Sequence, residues 1–260
     1  MLAIRIAWRY LRSKKAHSVV NIISAVSVCG VIVATAALVC VLSVFNGFSN
    51  LIGDRLSQLD PDIAVFPKKG KTIACGDSLC DILSSVSGVE SAVSVVQDNA
   101  LAVFDINQMP VVIKGVPKNY QNYSPAPKCV VDGSWMLDDE VSKYGVIGVG
   151  PAIQLGVRSG YLRMVQLYTP KRKGVINVAN PVNAFKQDSI FVGGIVQFGD
   201  SEIDQDIIFV PIDMARGLLD YDKEATCVEV SLENGANEEK LMHKISSVLG
   251  PDYLVQNRIM

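Results

Sequence analysis

The chain has 260 residues, 49% of them hydrophobic, with 24 basic and 26 acidic side chains for a net charge of −2. The charge is unevenly placed: Arg5, Arg9, Arg12, Lys14 and Lys15 give the first 17 residues +5 with no acid, leaving −7 on the rest. A basic head on an acidic body excludes the basic, aromatic-studded stripe that nucleic acid requires and points instead to a cytoplasmic anchor on an exported domain.

In chain order, the first element is a short helix over 4–12. Ile4, Trp8 and Leu11 share one face and Arg5, Arg9 and Arg12 the next. That pattern suits a helix lying in a headgroup layer. Residues 18–53 carry no charge, and their centre reads VSVCGVIVATAALVCVLSVF over 26–45. About 20 apolar residues cross a bilayer, and a signal-peptide core of about 7–15 is shorter than this run. Although Ala34-Thr35-Ala36 has the spacing of a cleavage site, the segment reads as an uncleaved transmembrane anchor. The basic residues before it place the N-terminus in the cytoplasm. Beyond it, Val44, Phe45, Phe48, Leu51, Ile52, Leu56 and Leu59 recur at helical steps until Pro61. The span therefore continues as an amphipathic stalk to residue 60, with Gly47 marking a kink or a close contact.

From residue 62 the period changes. Strands are predicted over 62–66, 92–96, 100–104 and 111–116, with a helix over 78–87. The end of the chain repeats the theme, with a strand over 227–232, a helix over 237–249 and a strand over 253–256. These ends predict an α+β fold class, with one α/β subdomain assembled from 61–116 and 227–260. The middle, 117–226, reads as an inserted, mostly-β subdomain. Its strands are 164–168, 189–196 and 206–210, and its short helices 151–155 and 212–219. Between residues 168 and 189 lies TPKRKGVINVANPVNAFKQD, far longer than a hairpin connection of about 2–5 residues. Pro170, Lys171, Arg172, Val178, Val182 and Phe185 make that loop a candidate contact surface.

Catalytic patterns do not emerge. Gly70-Lys71-Thr72 resembles the end of a phosphate loop, but Val65 stands where the first glycine belongs. The Gly148-Val149-Gly150 stretch lacks a phosphate-binding lysine. Only two histidines occur, His17 and His243, and His243 reads as a surface side chain. Cys75 and Cys80 could pair in an oxidising compartment or remain thiols. No metal or cofactor is expected on this chain.

The segments IAWRYLRSKK, VLSVFNGFSNLIGDRL, PDIAVFP, KGVPKNY, VGPAIQLGVRSG and FVGGIVQFGDSEIDQDIIFVP resemble the permease of lipoprotein-releasing ABC transporters. The wider superfamily includes MacB-like pumps and FtsX-like cell-division permeases. The resemblance covers essentially the whole chain and implies a fold. One N-terminal transmembrane helix, extended as a stalk, leads into a periplasmic domain of an α/β porter-like subdomain and an inserted mostly-β subdomain. It also implies a second permease, identical or not, and a cytoplasmic ATPase dimer that holds ATP and Mg. Lipoproteins would leave the inner membrane through the pair and pass to a periplasmic carrier gripped by a hook-like loop, here residues 170–185. Acyl chains would sit near Val44, Phe45 and Phe48. Members of the family continue beyond the position of Met260 into three further spans, so this stretch alone would not transport. Two rivals remain: export of drugs, peptides or toxins by the same architecture, and a non-transporting regulator of a periplasmic hydrolase.

Overall fold

The computed structural model describes residues 5, 9, 19–56, 61–139, 142–172, 184–199, 204–233 and 235–257, with side chains of the long N-terminal helix described from 22 to 47. The chain forms two compact units, Met1–Asp54 and Arg55–Met260. The first is dominated by helix α1 (Val19–Leu56, 38 residues), about 57 Å long at 1.5 Å per residue. Its stretch Ile22–Gly47, 26 residues, is long and apolar enough to cross a membrane. Apolar side chains are exposed all round it, Val44 to 72% and Phe45 to 64%, a pattern that suits hydrocarbon rather than water. The Thr35 hydroxyl donates back to the Val31 carbonyl at 2.6 Å, so the helix satisfies its own polar group. The helix runs through Gly47 without a break. The expected continuation over 57–60 and the helix over 4–12 lie outside the described residues, apart from 5 and 9.

The second unit begins with β1 (Ile63–Pro67), α2 (Gly76–Ser84), β2 (Val89–Phe104) and β3 (Asn107–Val116), followed by β4 (Val130–Gly133), β5 (Tyr144–Gly148) and α3 (Val149–Leu155). Then come β6 (Val165–Pro170), β7 (Phe185–Val196), β8 (Ile207–Pro211), α4 (Ile212–Leu218), β9 (Cys227–Leu232), α5 (Glu238–Leu249) and β10 (Tyr253–Asn257). The strands form one sheet in the order β10-β1-β9-β2-β3-β8-β5-β7-β4, and β6 pairs with both β2 and β7. Strands β2, β3, β8, β5, β7 and β6 thus close into a ring, which removes edges that would otherwise recruit other strands. The first and last strands of this unit meet on the far side of β2, where β1 lies between β9 and β10. There α2 and α5 cover Ile63, Val65, Leu83, Val228, Val230 and Ile245, all buried. Asn237 caps α5 by accepting the Lys240 N–H at 3.1 Å.

Three sequence expectations change. The strands read as 92–96 and 100–104 are one strand, β2, because it exchanges partners instead of ending: Val95 pairs with Cys227 of β9 and Val96 with Gly115 of β3. At the exchange the Thr226 hydroxyl accepts the Gln97 N–H at 2.7 Å, so this donor stays paired where β2 leaves β9. Strands β4 and β5 were not anticipated; β4 is short and exposed, and the glycines of Tyr144–Gly148 hide its strand character. Strands β6 and β7 also run farther than expected, to a last register pair of Pro170 and Phe185.

The glycines of the GVG stretch serve packing. A Cβ on Gly150 would lie 2.6 Å from the Gln205 backbone, and its N–H donates to the Asp204 carbonyl at 2.9 Å. Lys71 pairs with Asp98 at 2.6 Å. Cys75 and Cys80 are both free thiols; Cys75 is exposed ahead of α2, whereas burial, helped by Asp77 and Asp81, pushes the Cys80 thiol up to about 12. His243 is exposed on α5, as expected.

A charged node lies beside β2. Lys114 of β3 and Glu229 of β9 meet across it at 2.7 Å with side chains only 5% and 9% exposed. The Tyr120 hydroxyl donates to the other Glu229 oxygen at 2.9 Å. Burial opposes the Lys114 charge, but the Glu229 carboxylate outweighs it and holds the ammonium form well above the usual lysine range. Phe209 and Tyr120 present ring faces 5.9 and 5.6 Å from the Lys114 nitrogen, and Trp135 packs 5.0 Å from Phe209.

Candidate functional site

Two groups of residues were expected to act. In the first unit, Val44 and Phe45 are exposed near the C-terminal end of the apolar stretch. Phe48 belongs to the same helix, three residues beyond Phe45, so the helical period places these positions along one side.

The second group surrounds the loop between β6 and β7. Alternation along β6 buries Val165, Leu167 and Thr169 and turns Gln166 and Pro170 outward. The ladder reaches Pro170 and Phe185 and is continued by the Lys171 N–H, which donates to the Ala184 carbonyl at 2.8 Å. Lys171 and Arg172 are exposed, and Phe185 is 48% exposed. Two cations and an uncovered aromatic ring therefore share the loop's base. Val178 and Val182 lie outside the described residues.

Both legs of the base touch one turn, Gly217 to Tyr221, at the end of α4. The wholly buried Thr169 hydroxyl donates to the Leu218 carbonyl at 2.7 Å. Lys186, on the β7 leg, donates to the Gly217 carbonyl at 2.9 Å and pairs with Asp220. Arg172, on the β6 leg, stands 4.5 Å over the Tyr221 ring. Burial pushes the Tyr221 phenol up, and Arg172 partly offsets it. Sequence reasoning missed Thr169, Lys186, Asp220 and Tyr221, because their partners lie 31 to 49 residues away and no local spacing announces them.

Among the described residues no group of three His, Cys, Asp or Glu side chains is arranged to hold a metal. A broad depression of about 780 Å³ beside α3 is lined by Ile153, Val157, Tyr161 and Ile195 together with Asp132 and Arg158.

The fold is that of an extracytoplasmic transporter domain. It is similar to the extracellular domain of the noncanonic ABC-type transporter YknZ from Gram-positive bacteria, with a TM-score of 0.52 and 16% identity, covering 75% of this chain and 99% of that one. It is also similar to the periplasmic region of MacB from Actinobacillus actinomycetemcomitans, with a TM-score of 0.53 and 13% identity, covering 79% and 92%. The family model of the MacB-like periplasmic core domain matches residues 24–248, and the chain belongs to that family. Its curated relatives include the lipoprotein-releasing system transmembrane protein LolC of Neisseria meningitidis serogroup B, 28% identical over 247 residues, covering 90% of this chain and 56% of that protein. LolE of Haemophilus influenzae, also named a lipoprotein-releasing system transmembrane protein, is 25% identical over 236 residues, covering 88% and 54%. The chain thus spans a little over half the length of these relatives.

Proposed function

We propose that the chain acts as a permease subunit of an ABC transporter in the bacterial inner membrane, extracting lipoproteins and passing them to a periplasmic carrier. The observation that carries this reading is the similarity to two lipoprotein-releasing proteins along about nine-tenths of the chain. The long β6–β7 connection with its basic and aromatic base supports it. In this reading the +5 head is cytoplasmic, α1 spans the membrane and residues 61–260 are periplasmic. A second permease completes the pair. ATP and Mg belong to a separate ATPase dimer, so this chain contributes binding and motion rather than catalysis. Val44, Phe45 and Phe48 meet the substrate's acyl chains, because apolar groups near the end of a span can receive a lipid tail before it has left the hydrocarbon. Residues 170–185, with Lys171, Arg172, Val178, Val182 and Phe185 as contacts, grip the carrier. The MacB-like fold also suits export of another substrate, with an outer-membrane channel in place of a carrier.

The test uses the full-length transporter in spheroplasts. A photo-crosslinker at Phe45 should capture acylated lipoprotein; capture of the second permease alone would assign Phe45 to packing. Replacing residues 173–183 by a short Gly-Ser turn should weaken binding of added purified lipoprotein carrier by about a hundredfold, the scale of a lost hot spot. ATPase activity should persist. Since the carrier reaches only the outer side of an intact membrane, its binding reports orientation as well. Undiminished binding would overturn the carrier role.

A further inference from the structure

The turn after α4 treats the two legs of the loop alike. Asp220 holds Lys186 of the outgoing leg, and the next residue, Tyr221, receives Arg172 of the incoming one. Asp220 does so from a left-handed backbone conformation, φ +57°, which few residues other than glycine adopt without strain. A glycine would relieve that strain and lose the carboxylate. The Tyr221 hydroxyl is buried without a hydrogen-bond partner among the described residues, so the residue contributes its ring face rather than its oxygen.

The turn is itself braced from behind. The Tyr221 N–H donates to the Arg216 carbonyl at 2.9 Å, and the Arg216 guanidinium reaches Asp77 of α2 at 3.0 Å and the Glu224 carbonyl at 3.2 Å. Asp77 also accepts the Ser94 hydroxyl of β2 at 2.6 Å. Burial raises the Asp77 carboxyl, but Ser94 and Arg216 more than reverse this and lower it. In front, α4 lies close against β3, where a Cβ on Gly115 would come within 2.4 Å of the Ala215 Cβ.

We propose that the turn from Gly217 to Tyr221 is a two-point seat. It clamps both legs of the β6–β7 loop, fixes their direction, and ties them through Arg216 and Asp77 to α2 and β2. Asp220 and Tyr221 are positioning residues: they face inward to the legs and set how the loop is presented, leaving the loop to make the contacts. The purpose of that presentation rests on the carrier reading above; the mechanical claim does not.

The experiment is hydrogen exchange on the full-length transporter in nanodiscs, read at the Lys171 amide, whose bond to Ala184 closes the two legs. The double variant Arg172→Gln/Asp220→Gly should exchange about tenfold faster there, the combined weight of one exposed cation–π contact and one partly exposed ion pair. Global urea stability should hold, since glycine suits the backbone at 220. Tyr221→Phe keeps the ring and should exchange like the parent. Unchanged exchange at Lys171 in the double variant, or equal acceleration in Tyr221→Phe, would overturn the seat. Binding of purified lipoprotein carrier is measured on the single variant Asp220→Gly, which loosens the seat and leaves the carrier contact Arg172 in place. Faster exchange with carrier affinity reduced by a similar factor supports both readings. Faster exchange in a transporter whose unmodified form binds no carrier upholds the seat and removes its assigned purpose.

Discussion

Replacing Glu229 alone by Leu should cost about 3–5 kcal/mol, because it leaves the Lys114 ammonium buried without its counter-charge. The lysine is 5% exposed and sits against the rings of Tyr120 and Phe209. Replacing the whole node, as Lys114→Met/Tyr120→Phe/Glu229→Leu, should bring stability back to within about 2 kcal/mol of the parent or above it, because buried ion pairs barely recover their desolvation. The contrast between single and triple variants is the prediction, and the sign of the titration keeps it clean. A lysine whose folded value lies above the ordinary 10.5 contributes stability that is fully present below 10.5 and is lost only as pH rises through the folded value. At pH 7 the parent does not titrate on that account. Trp135 packs on the node, and with Trp8→Phe it is the sole tryptophan of these 260 residues, so urea unfolding of the 260-residue chain followed by its fluorescence measures the effect. A triple variant as unstable as the single one would show that the node stabilises through its polar geometry rather than through charge compensation.

Gly194→Val should destabilise by about 3 kcal/mol or more through overpacking. Segment 133–136 crosses the face of β7 in backbone contact. The Ser134 N–H donates to the Gly193 carbonyl at 3.0 Å, and a Cβ on Gly194 would fall 2.5 Å from the Ser134 carbonyl oxygen and 3.0 Å from its carbon. A Cβ on Gly193 would meet the Met136 carbonyl at 2.8 Å. Backbone yields far less than the end of a side chain, so strand and crossing segment must separate, and Trp135 with them. The same fluorescence measurement reads the loss. Gly217→Ala is the comparison: nothing lies within 4 Å of its added Cβ, and a helical alanine should gain about 0.5 kcal/mol. If the two substitutions proved equally mild, the crossing would not be the close contact described.

What the sequence determined by itself is whatever repeats along the chain or is counted over a window. Helix α1 was legible because 36 uncharged residues, 18–53, have one physical explanation. Strands β1, β8, β9 and the second half of β3 were legible because each is a short run rich in β-branched and aromatic side chains. The over-long connection after β6 stood out by length alone. Tertiary structure decided everything that depends on a partner far away in the chain. The continuity of β2 depends on Thr226, 129 residues from Gln97. The charge on Lys114 is tolerable only because β9 brings Glu229 to it, and in sequence it was one more polar residue within a strand. The glycines of β7 looked like weak β-formers until segment 133–136 lay across them. The base of the loop shows the division within a single site. Lys171, Arg172 and Phe185 declared themselves through composition, whereas Asp220 and Tyr221 looked like an ordinary helix end. Local sequence governs backbone period and solvation, but which charge meets which, and where two backbones touch, is settled only when strands distant in sequence pair and close the ring.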